Sequence, residues 1–126
     1  MIGPSSSHTA GAVRLGALAR AVFGHTPKRV IIKLHGSFQA TGEGHGTKLA
    51  LVAGLLGMDV DDPRIVHAFE HAHEQGMDYE FQNITLDEAH PNTASFELID
   101  DDSTLEVTGS SIGGGNVIVT HIANFK

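Results

Sequence analysis

Apolar positions recur with helical spacing near the start of the chain. Leu15, Leu18, Ala19 and Val22 fall at i, i+3, i+4 and i+7, and a glycine ends the pattern. Because residues with this spacing line one face of an α-helix, the pattern predicts a first helix over residues 9–23.

The next segments alternate between strand and helix patterns. Residues 30–34 form a short β-branched run that is typical of a strand. Residues 49–56 are apolar on every side, so a helix there has to be buried on more than one side. We expect it to lie between a sheet and either another helix or a partner subunit. Asp62 and Pro63 are a typical N-cap and first helical residue, and they begin a predicted helix over residues 63–75.

The second half of the chain has strand patterns. Tyr79 and Phe81 lie on one side of a predicted strand, and a hairpin follows around a polar turn at residues 100–103. A last strand covers residues 117–122. The order α, β, α, α, β, β, β, β predicts one α+β domain over residues 1–126, a two-layer sandwich of helices on a mostly antiparallel sheet.

Composition and charge narrow the class of protein. The 126 residues carry 15 Asp and Glu against 8 Lys and Arg, a net charge of −7, which leaves no basic patch for a nucleic acid partner. The chain has no cysteine, so it cannot supply thiolate ligands, and this fits a reducing compartment. No apolar run approaches the ~18 residues of a membrane span, so we expect a cytoplasmic protein without membrane contact.

The start of the first helix is the leading candidate for chemistry. Ser5, Ser6 or Ser7 can each act as the N-cap, and His8 and Thr9 follow directly. The free N–H groups of a first helical turn, with the positive end of the helix dipole, suit a carboxylate or phosphate. Capping alone is the simpler interpretation, but three serines followed by His and Thr exceed what one cap needs.

A glycine-flanked histidine is the second candidate. His45 lies between Gly44 and Gly46, just before Thr47 and a helix start. Flanking glycines let the backbone approach a ligand, and an imidazole titrates near neutrality, as acid–base catalysis requires. A solvated loop histidine is the simpler alternative.

Other polar clusters carry weaker signals. The glycines at 113–115 indicate a bulge or bend, and they lack phosphate-loop spacing. His67 and His71 are spaced i, i+4, but no third metal ligand is apparent, and we interpret them as surface residues. We predict no metal site in this chain. The acidic runs at 59–62 and 100–102 lack the spacing of a calcium loop and are interpreted as solvated turns.

Four motifs, in this order and spacing, resemble the β chain, or β domain, of the iron–sulfur-dependent L-serine dehydratases. They are Gly3-Pro4-Ser5-Ser6-Ser7-His8-Thr9-Ala10-Gly11, Gly36-Ser37 with Gly42-Glu43-Gly44-His45-Gly46-Thr47, His90-Pro91-Asn92-Thr93, and Ser111-Ile112-Gly113-Gly114-Gly115. The resemblance covers nearly the whole chain, which makes it more specific than any single motif.

The resemblance implies a lyase that acts only with a partner. In that family an α chain holds a [4Fe-4S] cluster, and the assembly converts L-serine to pyruvate and ammonia. Cluster iron would act as a Lewis acid on the serine hydroxyl while a base removes the Cα proton. The family's β domain is also similar to the allosteric substrate-binding domain of some D-3-phosphoglycerate dehydrogenases. The apolar helix also allows a homo-oligomer.

The family motifs, together with the helix-start argument, assign candidate roles to individual residues. The catalytic candidates are His45 and Thr47. The candidates for binding substrate are Ser5, Ser6, Ser7, His8, Thr9, Gly44, His90, Asn92, Thr93, Gly113 and Gly114. Two departures accompany the match. The family has Lys and Asp where this chain has Glu43 and Lys48. Residues before the Gly-Pro turn and an ACT-like regulatory domain after the last strand are also absent, which suggests a shortened form.

Two alternatives from other classes stay open at this point. One is a regulatory domain that binds an amino acid or another small carboxylate without catalysis. The other is a structural interface domain in which the apolar segment at 49–56 contacts a partner.

Overall fold

The computed structural model describes residues 7–36, 46–85, 92–113 and 116–125. In chain order its elements are α1 (Ser7–Phe23), β1 (Arg29–Gly36), α2 (Gly46–Leu55), a short 3-10 helix (Pro63–His67), α3 (Ala68–Gln75), β2 (Asp78–Asn83), β3 (Asn92–Ile99), β4 (Thr104–Gly113) and β5 (Asn116–Phe125). The predicted order of helices and strands is confirmed, and β5 extends beyond the predicted strand at both ends.

The five strands form one sheet in the order β2-β1-β3-β4-β5. β1 and β2 run parallel, and Arg29 lies opposite Asp78. The other neighbours are antiparallel. The mostly antiparallel α+β architecture is therefore confirmed. One parallel pair is expected, because the connection from β1 to β2 contains helices.

The three helices cover one face of this sheet. Val30 and Ile32 of β1 and Phe96 of β3 are at most 1% exposed and belong to the same apolar core as the helices. At the β2 edge, the Phe69 ring of α3 stacks on Tyr79 with 5.1 Å between ring centroids. The opposite face of the sheet has no helix over it among the described elements, so this part of the chain has two layers.

The apolar segment after residue 46 is buried, as its composition predicts. Residues 50–53 and Leu55 of α2 are fully buried within the core. α2 crosses α1 where Gly16 meets Gly54, and a methyl group on either glycine would overlap the backbone of the other helix. Two glycines thus let the helix axes approach closely, and α2 is buried without a partner subunit.

The predicted helix at 63–75 divides into two pieces. The Asp62 carboxylate accepts a hydrogen bond of 2.8 Å from the Arg64 N–H, which confirms the N-cap. The first turn is a 3-10 helix, and His67 has a non-helical backbone (φ −116°, ψ 25°) before α3 begins. The β-branched pair Ile65 and Val66 lowers helix propensity there, which accounts for the shorter α-helix.

The hairpin of β3 and β4 follows the predicted pattern. Phe96 lies opposite Val107 and Leu98 opposite Leu105, with the polar turn between the two strands. Phe96, Leu98 and Val107 are at most 2% exposed. None of the helices in the described ranges is long and apolar enough to cross a membrane.

Candidate functional site

Several strand ends meet at one edge of the sheet. Gly36 at the end of β1 lies opposite Asn92 at the start of β3, and Thr93 lies opposite Ser110 near the end of β4. Gly113, the last residue of β4, lies opposite the first residue of β5. We call this end of the sheet, marked by Gly36, Asn92, Thr93, Ser110 and Gly113, the Thr93 edge.

α1 begins at the Thr93 edge. A methyl group on Gly11, in the second turn of α1, would overlap the Ser111 hydroxyl of β4. A glycine is therefore required for this close approach, which places the start of α1 beside the end of β4. The N–H groups of the first turn have no partners within the helix and carry the positive end of its dipole.

α2 begins on the same side. Lys48 Nζ lies 5.3 Å from the centre of the Phe81 ring, near the end of β2. At the other end of the crossing, a side chain at Gly57 would come within 3.4 Å of Arg20, in the last turn of α1. The two helices therefore end on one side of their crossing and begin on the other. Thr47, in the first turn of α2, is 5% exposed.

Hydroxyl side chains of β3 and β4 form hydrogen bonds between these two strands. Thr93 Oγ1 and Ser110 Oγ form a hydrogen bond of 2.7 Å, and both residues are buried. Further from the edge, Thr108 Oγ1 donates a 3.0 Å hydrogen bond to Ser95 Oγ. The hydroxyl groups are thus paired with each other on the face of the sheet that none of the described helices covers, and the pairing fixes their orientation.

The structure places those candidate residues that it describes at helix starts and strand ends. The backbone of α1 begins with Ser7, His8 and Thr9. The Thr93 edge contains Asn92, Thr93 and Gly113. Thr47 is in the first turn of α2. Ser5, Ser6, Gly44, His45, His90 and Gly114 lie outside the described residues.

Sequence reasoning missed two site neighbours. Ser110 pairs with Thr93, and His35 lies opposite Thr93 on the other side, in the pairing of β1 with β3. The alternation of Ser and Thr along β4 is a signal that could have indicated Ser110. The position of His35 follows from the strand register, which the pattern of a single strand does not contain.

The perturbed ionisable groups of the described part lie away from the Thr93 edge. Hydrogen bonds from the Arg64 side chain and backbone lower the pKa of Asp62 to about 2. At the far end of the sheet, a 2.7 Å hydrogen bond with His25 lowers the pKa of Asp100. These two carboxylates serve a helix cap and a surface ion pair, so they indicate no catalytic acid or base.

No group of three or more His, Asp or Glu side chains in residues 7–36, 46–85, 92–113 and 116–125 is arranged to hold a metal ion. His67 Nδ1 lies 3.0 Å from a Glu70 carboxylate oxygen, and His71 Nδ1 lies 3.6 Å from one of Glu74. The interpretation of His67 as a surface residue is confirmed by its 63% exposed side chain. His71 is partly buried, with 31% of its side chain exposed.

An open cavity of about 460 Å³ lies near the start of β2, at the opposite end of the sheet. It is lined by Arg29, Phe69, His73, Met77, Asp78, Tyr79 and Glu80. None of these residues belongs to the motifs that the sequence singled out. The cavity therefore adds nothing to the candidate site.

Comparisons with known proteins agree on one family. A family profile described as "Serine dehydratase beta chain" matches residues 1–77. The "Probable L-serine dehydratase, beta chain" of Bacillus subtilis (strain 168) is 48% identical over 126 residues, which is 100% of this chain and 57% of that protein. The "L-serine dehydratase, beta chain" of Peptoniphilus asaccharolyticus is 44% identical over 124 residues, with 97% and 56% covered.

A more distant relative is "L-serine dehydratase 2" of Escherichia coli (strain K12). It is 30% identical over 145 residues, which cover 93% of this chain and 31% of that protein. This chain thus spans a little over half the length of the two beta chains and about a third of the longer protein.

Proposed function

Because this chain belongs to the serine dehydratase beta chain family, we propose that it acts as the beta part of an L-serine dehydratase. With an alpha part, it converts L-serine to pyruvate and ammonia. The observation that supports this proposal is the Thr93 edge, where two helix starts lie on one face of the sheet and the buried hydroxyl pair lies on the other face. The segments that carry the serine and histidine motifs adjoin this edge in the sequence.

The helix start of α1 suits the substrate carboxylate. Its unpartnered N–H groups and dipole attract a negative charge, and the hydroxyls of Ser5, Ser6 and Ser7 would add donors. Asn92 would contact the same substrate from the sheet edge. Thr93 is 1% exposed and faces the other side of the sheet, so it would fix this edge through its hydrogen bond with Ser110. Binding by backbone donors holds the carboxylate in place without placing a second full charge in the site.

Proton transfer is proposed for His45. Loss of water from L-serine requires a base for the Cα proton and a proton for the leaving hydroxyl group, and imidazole can do either near neutral pH. His45 directly precedes α2, so its backbone joins the helix start that contains Thr47. Thr47 would orient the imidazole or the substrate through its hydroxyl group.

The [4Fe-4S] cluster of the family is assigned to the alpha part. This chain has no cysteine to supply thiolate ligands, and its described His, Asp and Glu residues form no ligand group. The residues of this chain therefore do not fit the cluster by themselves. This chain therefore contributes the binding and orientation of L-serine and the transfer of protons.

Reconstitution tests the division of labour. The purified chain is mixed anaerobically with a cluster-loaded alpha chain of the same family, and pyruvate formation is measured against each chain alone. We expect turnover only in the mixture. Equal turnover by the alpha chain with and without this chain would contradict the proposal.

A substitution at His45 tests its role within that mixture. His45→Ala should lower kcat by about 10²-fold or more, the usual effect of losing a general acid or base. His73→Ala is the matched control, because His73 is exposed on α3 and lies away from the Thr93 edge. His45→Ala should lower the free energy of unfolding by no more than about 0.5 kcal/mol. Wild-type turnover by a stable His45→Ala mixture would remove His45 from the mechanism.

A second candidate function rests on the same donors. A helix start can bind a small carboxylate without catalysing any reaction. Titration calorimetry of this chain alone with L-serine separates the two functions. A regulatory binding domain saturates without the alpha chain, whereas the beta part of an enzyme gains its affinity only in the mixture.

A further inference from the structure

The edge strand β5 differs from ordinary strands at sheet edges. It is ten residues long and contains no Pro, Asp, Glu, Lys or Arg. Its inner side pairs with β4, and none of the residues that the structure describes pairs with its outer side. A long uncharged edge exposes unpaired N–H and C=O groups, and natural proteins usually protect such edges with charge, proline or a covering segment.

Large apolar side chains mark both faces of this strand. Ile118 is 45% exposed and Ile122 is 50% exposed. Ile118 lies opposite Ser110 and Ile122 opposite Val107, and a register shift lies between the two pairs. Since Val107 belongs to the core beneath the helices, Ile122 lies on the helix side and Ile118 on the other face of the sheet.

The opposite edge of the same sheet provides an internal comparison. β2 is only six residues long, and its exposed residues include Asp78 and Glu80. Arg29 pairs with Glu80 at 3.1 Å. Two copies meeting through β2 would bring acidic side chains together. β2 is thus short and charged, whereas β5 is long and uncharged and has only the register shifts in its pairing with β4.

We propose that β5 pairs with β5 of a second copy of this chain. Two such strands related by a two-fold axis run antiparallel, which extends the sheet across both copies and satisfies the outer backbone groups of each strand. A strand of ten residues is about 33 Å long, enough for a continuous ladder. Each face of the joined sheet then receives one of the exposed isoleucines from each copy.

The charge distribution favours a second copy at this place. The chain carries a net charge of −7, so two copies repel each other over most of their surface. Among the described residues that pair with β5, the acidic side chain is Glu106, opposite Ala123. Lys33 lies 3.6 Å from this carboxylate and offsets its charge. β5 is therefore a surface where two acidic copies can meet without opposing like charges.

Sedimentation equilibrium of the full chain at several concentrations tests the pairing. We expect a dimer, and we expect Ile118→Lys with Ile122→Lys to raise its dissociation constant about tenfold or more, because the added like charges face each other. The control is Val66→Lys, which replaces a 65% exposed apolar residue on the 3-10 helix and should leave the constant unchanged. A monomer at all concentrations, or a dimer that ignores the β5 substitutions, overturns the proposal.

Hydrogen exchange on the wild-type chain gives a second readout that needs no variant. The amides of β5 that point away from β4 should exchange about tenfold or more slowly in the concentrated dimer than after dilution. Unchanged exchange in a demonstrated dimer places the interface elsewhere and overturns the proposal. Protection that appears only on addition of an alpha chain also overturns it, because the edge would then belong to a different partner.

Discussion

Replacing Gly54 by alanine should destabilise the protein, although alanine is normally the better helix residue. An alanine in a helix interior is favoured over glycine by about 1 kcal/mol. At Gly54, however, the new methyl group would overlap the carbonyl oxygen of Val13 and lie 2.7 Å from the amide nitrogen of Ala17. Ordinary non-bonded carbon contacts need about 3.5–4.0 Å, so α1 and α2 have to move apart by about 1 Å.

The size of the effect follows from what the methyl group meets. Overpacking a core costs about 1–3 kcal/mol, and the upper end applies because backbone atoms of α1 cannot rotate away as a side chain can. Subtracting about 1 kcal/mol of helix propensity leaves a net loss of about 2 kcal/mol. For a domain of this size that loss lowers Tm by about 6–10 °C.

Urea unfolding and thermal melts of Gly54→Ala measure this loss. Gly46→Ala is the matched control, since it is the same substitution in the same helix with no neighbouring atom within 4 Å of the new methyl group. We expect the control to remain within about 0.5 kcal/mol of wild type or to be slightly more stable. Equal midpoints for the two variants would refute the close crossing of α1 and α2.

Three further substitutions test the cap, the core and the buried hydroxyl pair. Hydrogen bonds from Arg64 lower the pKa of Asp62 to about 2, so the stabilising effect of the Asp62 carboxylate is complete above pH 3.8 and is lost as the pH falls towards 2. In thermal melts, the Tm of Asp62→Ala should be a few degrees below that of wild type at pH 7. This difference in Tm should disappear near pH 2. Phe96→Ala removes a core ring that is 1% exposed and should cost about 3–5 kcal/mol in urea unfolding; a smaller loss would mean that the core collapses around it. Thr93→Val removes the buried hydrogen-bond partner of Ser110 and should lower the free energy of unfolding by about 1–3 kcal/mol. Adding Ser110→Ala should restore part of that stability. If the losses from the two substitutions simply add, the pairing of the two hydroxyl groups is contradicted.

Local patterns were sufficient for the elements but not for their pairing. The apolar spacing around Leu15, the cap at Asp62 and the alternation near Phe96 each depend on neighbouring residues, and each prediction is confirmed. The parallel pairing of β1 with β2 and the register shifts between β4 and β5 depend on residues far apart in the sequence. The pattern of residues within one segment does not determine which strands pair or in which register.

The same limit applies to the candidate site. Asn92 with Thr93 and Gly113 belong to two motifs that are separate along the chain, and the sheet register places them at one edge. In the sequence Gly11 is only one residue of a motif, whereas the structure gives it a physical role, the close approach of α1 to Ser111. The roles of His45 and His90 stay predictions.

The central position of β1 determines how the chain must assemble during synthesis. β1 lies between β2 and β3, and its residue Arg29 pairs with Asp78 on one side and with Ile99 on the other. Both partners leave the ribosome well after β1, whereas β3, β4 and β5 follow one another with short connections and can close locally. Until β3 and β4 arrive, β1 and α1 lack the strands that they contact in the folded protein. The apolar surface of the first half of the nascent chain is therefore the part that most needs protection by a chaperone.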